Sequence, residues 1–338
     1  MQAIKAKQKK LTKRAPSQVM RLSRMGSFHQ SRLSFMRVLL RRLKRENWKF
    51  DRPKFDIDDN GVGVACYRVT GPKRSYTLVA FSHDLPAEKR SDRVIADAWD
   101  ATFTLYDGDV SEQDIKRLSQ NVPLQEAGRI SNQEITLSRA NKSVRMFDYV
   151  RDCLANGEQP DVSKLLSVGY LMRTTAVYGS GKFGAADRAE WCDREEFSGS
   201  FQPELLSVWL IRAFTIDLVE HLARVRSPVT AVQLDPSIRR RLGIGNSTGL
   251  GMAPFLVSHP MLLNAWLAAR ETALARVRAI DALDVAQIET IYALTARAAQ
   301  HLAEWSVVDT IGQARIDVMR REWPQVAALM TPETLSGR

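Results

Sequence analysis

The chain has 338 residues, 44% of them hydrophobic and 26% charged, a balance that suits a globular fold with a sizeable core. It contains no run of about 18 apolar residues, which excludes a membrane-spanning helix, and its opening lysines lack the apolar stretch of a secretory leader. Cys66, Cys153 and Cys192 are scattered, and neither CxxC nor HExxH spacing occurs. This points to a reducing, cytoplasmic setting and against a structural zinc or zincin site.

The formal charge of +11 is unevenly placed. Residues 1–45 hold fourteen of the 49 basic residues and no Asp or Glu, so the remainder has 35 basic against 38 acidic residues. The body is slightly acidic and the basic character belongs to an N-terminal arm. Residues 1–16 are lysine-rich and polar, the composition of a disordered segment. From Ser17 to Leu43 apolar residues recur at helical spacing among arginines. A basic amphipathic helix of this kind can pack on its own body, contact nucleic acid, lie on an anionic membrane or act as a targeting segment.

Next come β signals. Val62–Thr70 and Ser75–Phe81 are alternating and β-branched around the turn-forming Gly71-Pro72, which predicts an antiparallel hairpin. Ala101–Tyr106, stopped by Asp107-Gly108, predicts a third strand, while Ser91–Trp99 reads as either a short helix or an edge. Helical patterns follow. Ser111–Asp114 forms a capping box opening a helix through Leu118. Further helices are predicted over Lys142–Ala155, Val162–Met172, Pro203–Val225, Pro260–Ile280 and Asp284–Trp305, and over Thr310–Trp323, ended by Pro324. The expected fold is α+β and predominantly α-helical: a small antiparallel sheet near the N-terminus, then a helical body. The expected organisation is a disordered arm (1–16), a basic helix with a small α+β subdomain (17–109), and a helical domain with two Gly-rich loops (110–335).

Those two loops carry the strongest site signals. In the first, Thr175–Gly184, the glycines at 179, 181 and 184 match G-x-G-x-x-G, but no second strand with a terminal acidic residue follows, so a dinucleotide fold is not indicated. A P-loop fails too, because Ala176 stands where its first glycine belongs and Phe183 where its Ser/Thr belongs. What remains is a backbone nest around Gly179 and Gly181, beside Lys182 and downstream of Arg173, suited to a carboxylate or phosphate. A tight interhelical loop is the plain alternative. In the second, Arg239–Met252, four glycines surround Asn246, Ser247 and Thr248 after three arginines that include Arg241. Glycine-rich loops carry an entropic cost, and the polar trio offers donors and acceptors to a ligand. A close helix crossing would also use glycines.

Among the five histidines, His259 lies beside the second segment and is the best acid–base candidate, with helix capping as its plain role. His83 follows a strand end and can act at the sheet edge; His221 and His301 read as helix-surface or core residues. Tyr178 and Lys182 can supply a proton, a base or an anion contact. Asp193, Glu195 and Glu196 read as a solvated loop more than as a metal site, and no G-x-S-x-G elbow occurs. No cofactor fingerprint survives, which leaves any cofactor undefined.

The reading with most support is an enzyme acting on a small anionic metabolite by lyase- or transferase-like acid–base chemistry at a pocket formed by the two Gly-rich segments, with His259, Lys182 and Tyr178 catalytic. Arg173, Gly179, Gly181, Arg241, Asn246, Ser247 and Thr248 would bind the substrate. The alternative is a non-catalytic assembly protein that contacts nucleic acid through residues 1–45. Apolar faces on the C-terminal helices fit a homodimer, or a monomer that buries them itself.

Overall fold

The computed structural model describes residues 35–90, 98–120, 131–178, 202–242 and 282–331, with 191, 194–197, 271, 272, 275, 276, 279 and 335 between and beyond them. The described residues fall into two compact units, separated at residue 264.

The larger unit is α+β. Its elements run α1 (Phe35–Arg45), β1 (Lys49–Ile57), β2 (Gly63–Thr70), β3 (Ser75–Ser82), β4 (Ala101–Asp107), α2 (Glu112–Ser119), β5 (Glu134–Lys142), α3 (Phe147–Ala155), α4 (Val162–Val168), β6 (Met172–Tyr178), α5 (Gln202–Arg226) and α6 (Pro236–Arg241). The strands form one six-stranded antiparallel sheet in chain order, β1 to β6. β2, β3 and β4 fall where the alternating pattern places them, and Ser111 and Asp114 close the expected capping box at the start of α2.

The sheet has three strands more than its apolar pattern shows. β1 (KFDRPKFDI) holds five charged residues and a proline. It survives as an edge strand because its pairing with β2 slips between Asp51 and Lys54, so a bulge takes Pro53 out of the ladder. β5 is polar in sequence because polar residues are buried along it: Glu134, Ser138, Asn141 and Lys142 are all under 6% exposed. Glu134 is held by Arg117 at 3.0 Å and by the Ser131 amide at 2.8 Å. The helix expected from Lys142 therefore starts only at Phe147, and the one expected over Val162–Met172 stops at Val168, where Gly169 takes a left-handed φ of 78°. β6 follows, pairing with β5 from Met172 to Tyr178.

Each sheet face is covered by a helix. Cys66, Val79, Phe81 and Tyr106 pack with Ile115 and Leu118 of α2. The opposite face presents Tyr67 and Phe103, whose rings meet Phe214 of α5 edge-on at 6.3 and 5.4 Å. α5 is apolar around most of its circumference, with Leu205, Leu206, Leu210, Ile211, Phe214, Leu218, Val219 and Ala223 all buried; such a helix belongs in a core rather than on a surface. It packs on α3 and α1 as well as on the sheet. α1, the described part of the basic N-terminal segment, buries Leu39 and Leu43 and leaves Arg41, Lys44 and Arg45 exposed.

In the second unit, α7 (Val285–Glu304) opens on an Asp284–Gln287 capping box and α8 (Thr310–Ala328) on Asp309. Pro324 does not end α8 as the sequence suggests; the helix runs four residues beyond it. Its ring removes one donor only, near a C-terminal end that Leu329 and Met330 close onto Val326 and Ala327. Arg320 of α8 donates to the carbonyls of Leu302, Ala303 and Trp305 and so satisfies the end of α7. Among the described residues, no helix is long and apolar enough to cross a membrane.

One glycine is fixed by a close approach. At Gly63 (φ 147°) an added Cβ would lie 2.0 Å from the Asp56 carbonyl oxygen, a backbone atom that cannot swing away. Gly63→Ala is expected to lower stability by about 2 kcal/mol or more, in line with overpacked sites. Urea unfolding checks this, and an unchanged midpoint would contradict the β1–β2 register.

Candidate functional site

One end of the sheet is built by the C-termini of β3 and β5 and the N-termini of β4 and β6. Ser82, Ala101, Ala140 and Thr174 are successive register partners across these four strands. Register partners share a face, so two small side chains lie between two hydroxyls, on the side that carries Phe103. Residues only two apart along a strand share that face too, which places Lys142 beyond Ala140.

Asp100 holds this end together. Its carboxylate, fully buried, accepts from Arg90 Nε at 3.0 Å through Oδ1 and from the Lys142 amide at 2.8 Å through Oδ2. Its amide donates to Asn141 Oδ1 at 2.8 Å, and its carbonyl accepts from the His83 amide at 2.7 Å. Asn141 Nδ2 reaches the Ala98 carbonyl at 3.2 Å, and Arg90 reaches Asp84 at 3.4 Å. The backbones of His83 and Lys142 are thus both tied to one residue.

The side chains around this clasp are not satisfied. Ser82 Oγ, Ser143 Oγ, Thr174 Oγ1 and His83 Nε2 are buried and make no hydrogen bond among the described residues. Lys142 is 5% exposed, its Nζ 5.3 Å from the Phe147 ring centroid. Among the described residues it forms no ion pair. Burial pushes the Lys142 amine below the usual lysine range, with Asp100 pulling the other way. Burial likewise lowers the His83 imidazole, again opposed by Asp100. An unsatisfied buried donor or acceptor costs about 1–3 kcal/mol. Four at one sheet end, beside an unpaired amine, are a concentration that asks for a polar occupant.

A second concavity provides the contrast. A cleft of about 640 Å³ lies between β1–β2 and α5, with Phe50, Trp209 and His221 among its walls. Its carboxylates are already matched. Asp217 accepts from Tyr67 Oη and Arg52, both at 2.8 Å, and Glu220 accepts from Arg239 at 2.8 Å and from the Leu234 amide at 3.0 Å. Burial and Asp217 hold the Tyr67 phenol protonated far above its ordinary range. Satisfied networks of this kind stabilise a fold; the sheet end has the unmet demand.

Of the sequence candidates, Arg173 and Tyr178 stand at opposite ends of β6, opposite Asn141 and Thr136. Five residue steps along the strand separate them by about 17 Å. Arg173 is at the Asp100 end, but its pairing with Asn141 places it on the face opposite Lys142. The structure does not bring Arg173 and Tyr178 together. Arg241 closes α6. Gly179, Gly181, Lys182, Asn246, Ser247, Thr248 and His259 lie outside the described residues, as does Asp193. Glu195 pairs with Lys73, and Glu196 accepts from Tyr76 Oη at 2.6 Å. His221 lines the cleft, its Nε2 3.0 Å from the Asp58 carbonyl, and His301 stacks on Trp305. Lys142, Asn141 and Asp100 were not singled out from sequence. No family model, curated protein or solved structure matches the chain.

Two measurements follow from this geometry. Asp100→Ala strands Arg90 and the Lys142 amide, and should lower stability by about 3–5 kcal/mol, the loss typical of a broken buried pair; unfolding at unchanged urea would refute the clasp. His83 titrates lower in the folded chain than its ordinary 6.5, so the unfolded chain binds the extra proton between those values. Its contribution is therefore present above about pH 6.5 and is lost as pH falls below it. His83→Gln should flatten the fall in stability between about pH 7.5 and 5.5, and an unaltered slope would remove His83 from the account.

Proposed function

We propose that this protein is an enzyme acting on a small anionic metabolite by acid–base chemistry of the lyase or transferase kind, at the Asp100 end of the sheet. The observation that carries the reading is the set of unpartnered buried atoms there, three hydroxyls and one imidazole nitrogen, together with Lys142, a lysine only 5% exposed. Hydroxyls orient a polar ligand by donating and accepting. An amine that gains a proton in this setting becomes the counter-charge of a bound anion, and Asp100 supports that charge from its own paired position. Both ionisable groups are shifted by burial toward their neutral forms, the state in which each accepts a proton. The pocket expected from the two Gly-rich segments, with His259, Lys182 and Asn246, lies outside the described residues and is a separate expectation from the sheet-end site.

The full chain should be screened by native mass spectrometry and thermal shift against small carboxylates and phosphates. At least one should bind, and Lys142→Met or Ser143→Ala should weaken it about tenfold or more, the value of a hydrogen bond to a charged group, with the circular dichroism of the native fold retained. Asn246→Ala and His259→Ala are read in the same assay. If nothing in the panel binds, or if binding is indifferent to both sheet-end substitutions, the reading is overturned.

A further inference from the structure

We propose that Lys142 is a nucleophilic amine that forms an imine with the carbonyl carbon of a small aldehyde or ketone. The inference rests on the functional reading above and names a substrate class for the same site.

A lysine is almost never buried without a partner, because its ammonium form loses hydration that nothing restores. At 5% exposure Lys142 is buried with neither an ion pair nor a side-chain hydrogen bond among the described residues. Its structural contribution is made by the main chain: the amide, not the amine, holds Asp100 Oδ2, and Oδ1 is taken by Arg90. Both carboxylate oxygens therefore have partners without the amine. Nζ lies instead over the Phe147 ring, 5.3 Å from its centroid, a cation–π contact that fills none of the amine's hydrogen-bonding capacity. If the residue served only to fill space, a methionine would do so without the desolvation cost. Burial moves the amine below the usual lysine range, against the pull of Asp100, and the lone pair of the unprotonated fraction is what attacks carbonyl carbon.

The step balances without a further reactant. The Nζ lone pair forms a C–N bond to the carbonyl carbon, and the carbonyl electrons move to oxygen. The two amine protons transfer to that oxygen, the C–O bond breaks, and water leaves as the C=N bond forms. Nothing is oxidised or reduced. The Ser82 and Thr174 hydroxyls, unpartnered and on the Lys142 face of the sheet, are suited to hold the oxygen as it develops and to pass it a proton.

The test is reductive trapping on the full chain. Wild-type protein is incubated near pH 7 with glyoxylate, a small carbonyl that also carries a carboxylate, then with borohydride, and digested for peptide mapping. The expected result is one adduct on the Lys142 peptide, forming at about ten times or more the rate of the surface lysines and absent in Lys142→Arg. Mapping of the wild type alone decides the matter if that variant fails to fold. Labelling spread over surface lysines with Lys142 untouched overturns the proposal, as does an unchanged adduct yield in a folded Lys142→Arg chain. The two readings separate cleanly. Carboxylate binding without trapping removes the imine and leaves the anion site; trapping at Lys142 without binding of any panel anion supports the imine and removes the anion reading.

Discussion

The buried Asp100 carboxylate is the constraint on which the rest of the sheet end depends. A fully desolvated charge is tolerated only if its lone pairs are met, and here they are met by groups from distant parts of the chain. Arg90 follows β3, Lys142 ends β5, and Asn141 beside it returns a bond to the Asp100 amide. Satisfying one carboxylate therefore fixes where β3 stops, where β4 starts and which residues of β5 reach its end. The same arrangement uses up the obvious partners, and the hydroxyls and the imidazole nitrogen around it are left without any.

α5 plays a comparable part on a larger scale. One apolar helix supplies Phe214 to the centre of the sheet, packs on α1 and α3, and turns Asp217 and Glu220 toward β1, β2 and α6. The molecule thus has two polar concentrations with opposite energetics. At the α5 cleft each carboxylate meets an arginine, and the network is complete. At the sheet end the carboxylate is complete but its neighbours are not. Stability accounts for the carboxylates of the first; the second holds buried atoms with unmet hydrogen-bonding capacity.

How much of this could be read from sequence follows from where polarity is placed. β2, β3 and β4 alternate and carry β-branched residues, and Ser111 and Asp284 open their helices with ordinary capping chemistry, so these elements were legible. β5 was not, because Glu134, Ser138, Asn141 and Lys142 are buried polar residues whose partners come from elsewhere. A hydrophobic pattern cannot register a strand that buries its polar side chains. β1 was hidden by Pro53, and β6 by a glycine motif that drew attention to its far end. The site suffered the same blindness. Lys142 reads as the first residue of a helix until the strand is known, and Asp100 as a loop residue until its bonds are. The glycine segments were conspicuous in composition, and seven of the ten residues proposed for the site lie beyond the described residues.

The bulge that hides β1 from the sequence has a bearing on the chain in a crowded solution. An open sheet edge is a template on which another chain can add a strand, and the outer margin of β1 is such an edge. Pro53 offers no N–H to an incoming backbone, the slipped register bends the strand where it stands, and charged residues crowd the same stretch. Asp51 and Arg68, paired at 2.7 Å across β1 and β2, would have to give up water to admit a neighbour. The irregularity is thus a guard against fibrous self-association, built into the strand least able to protect itself by burial.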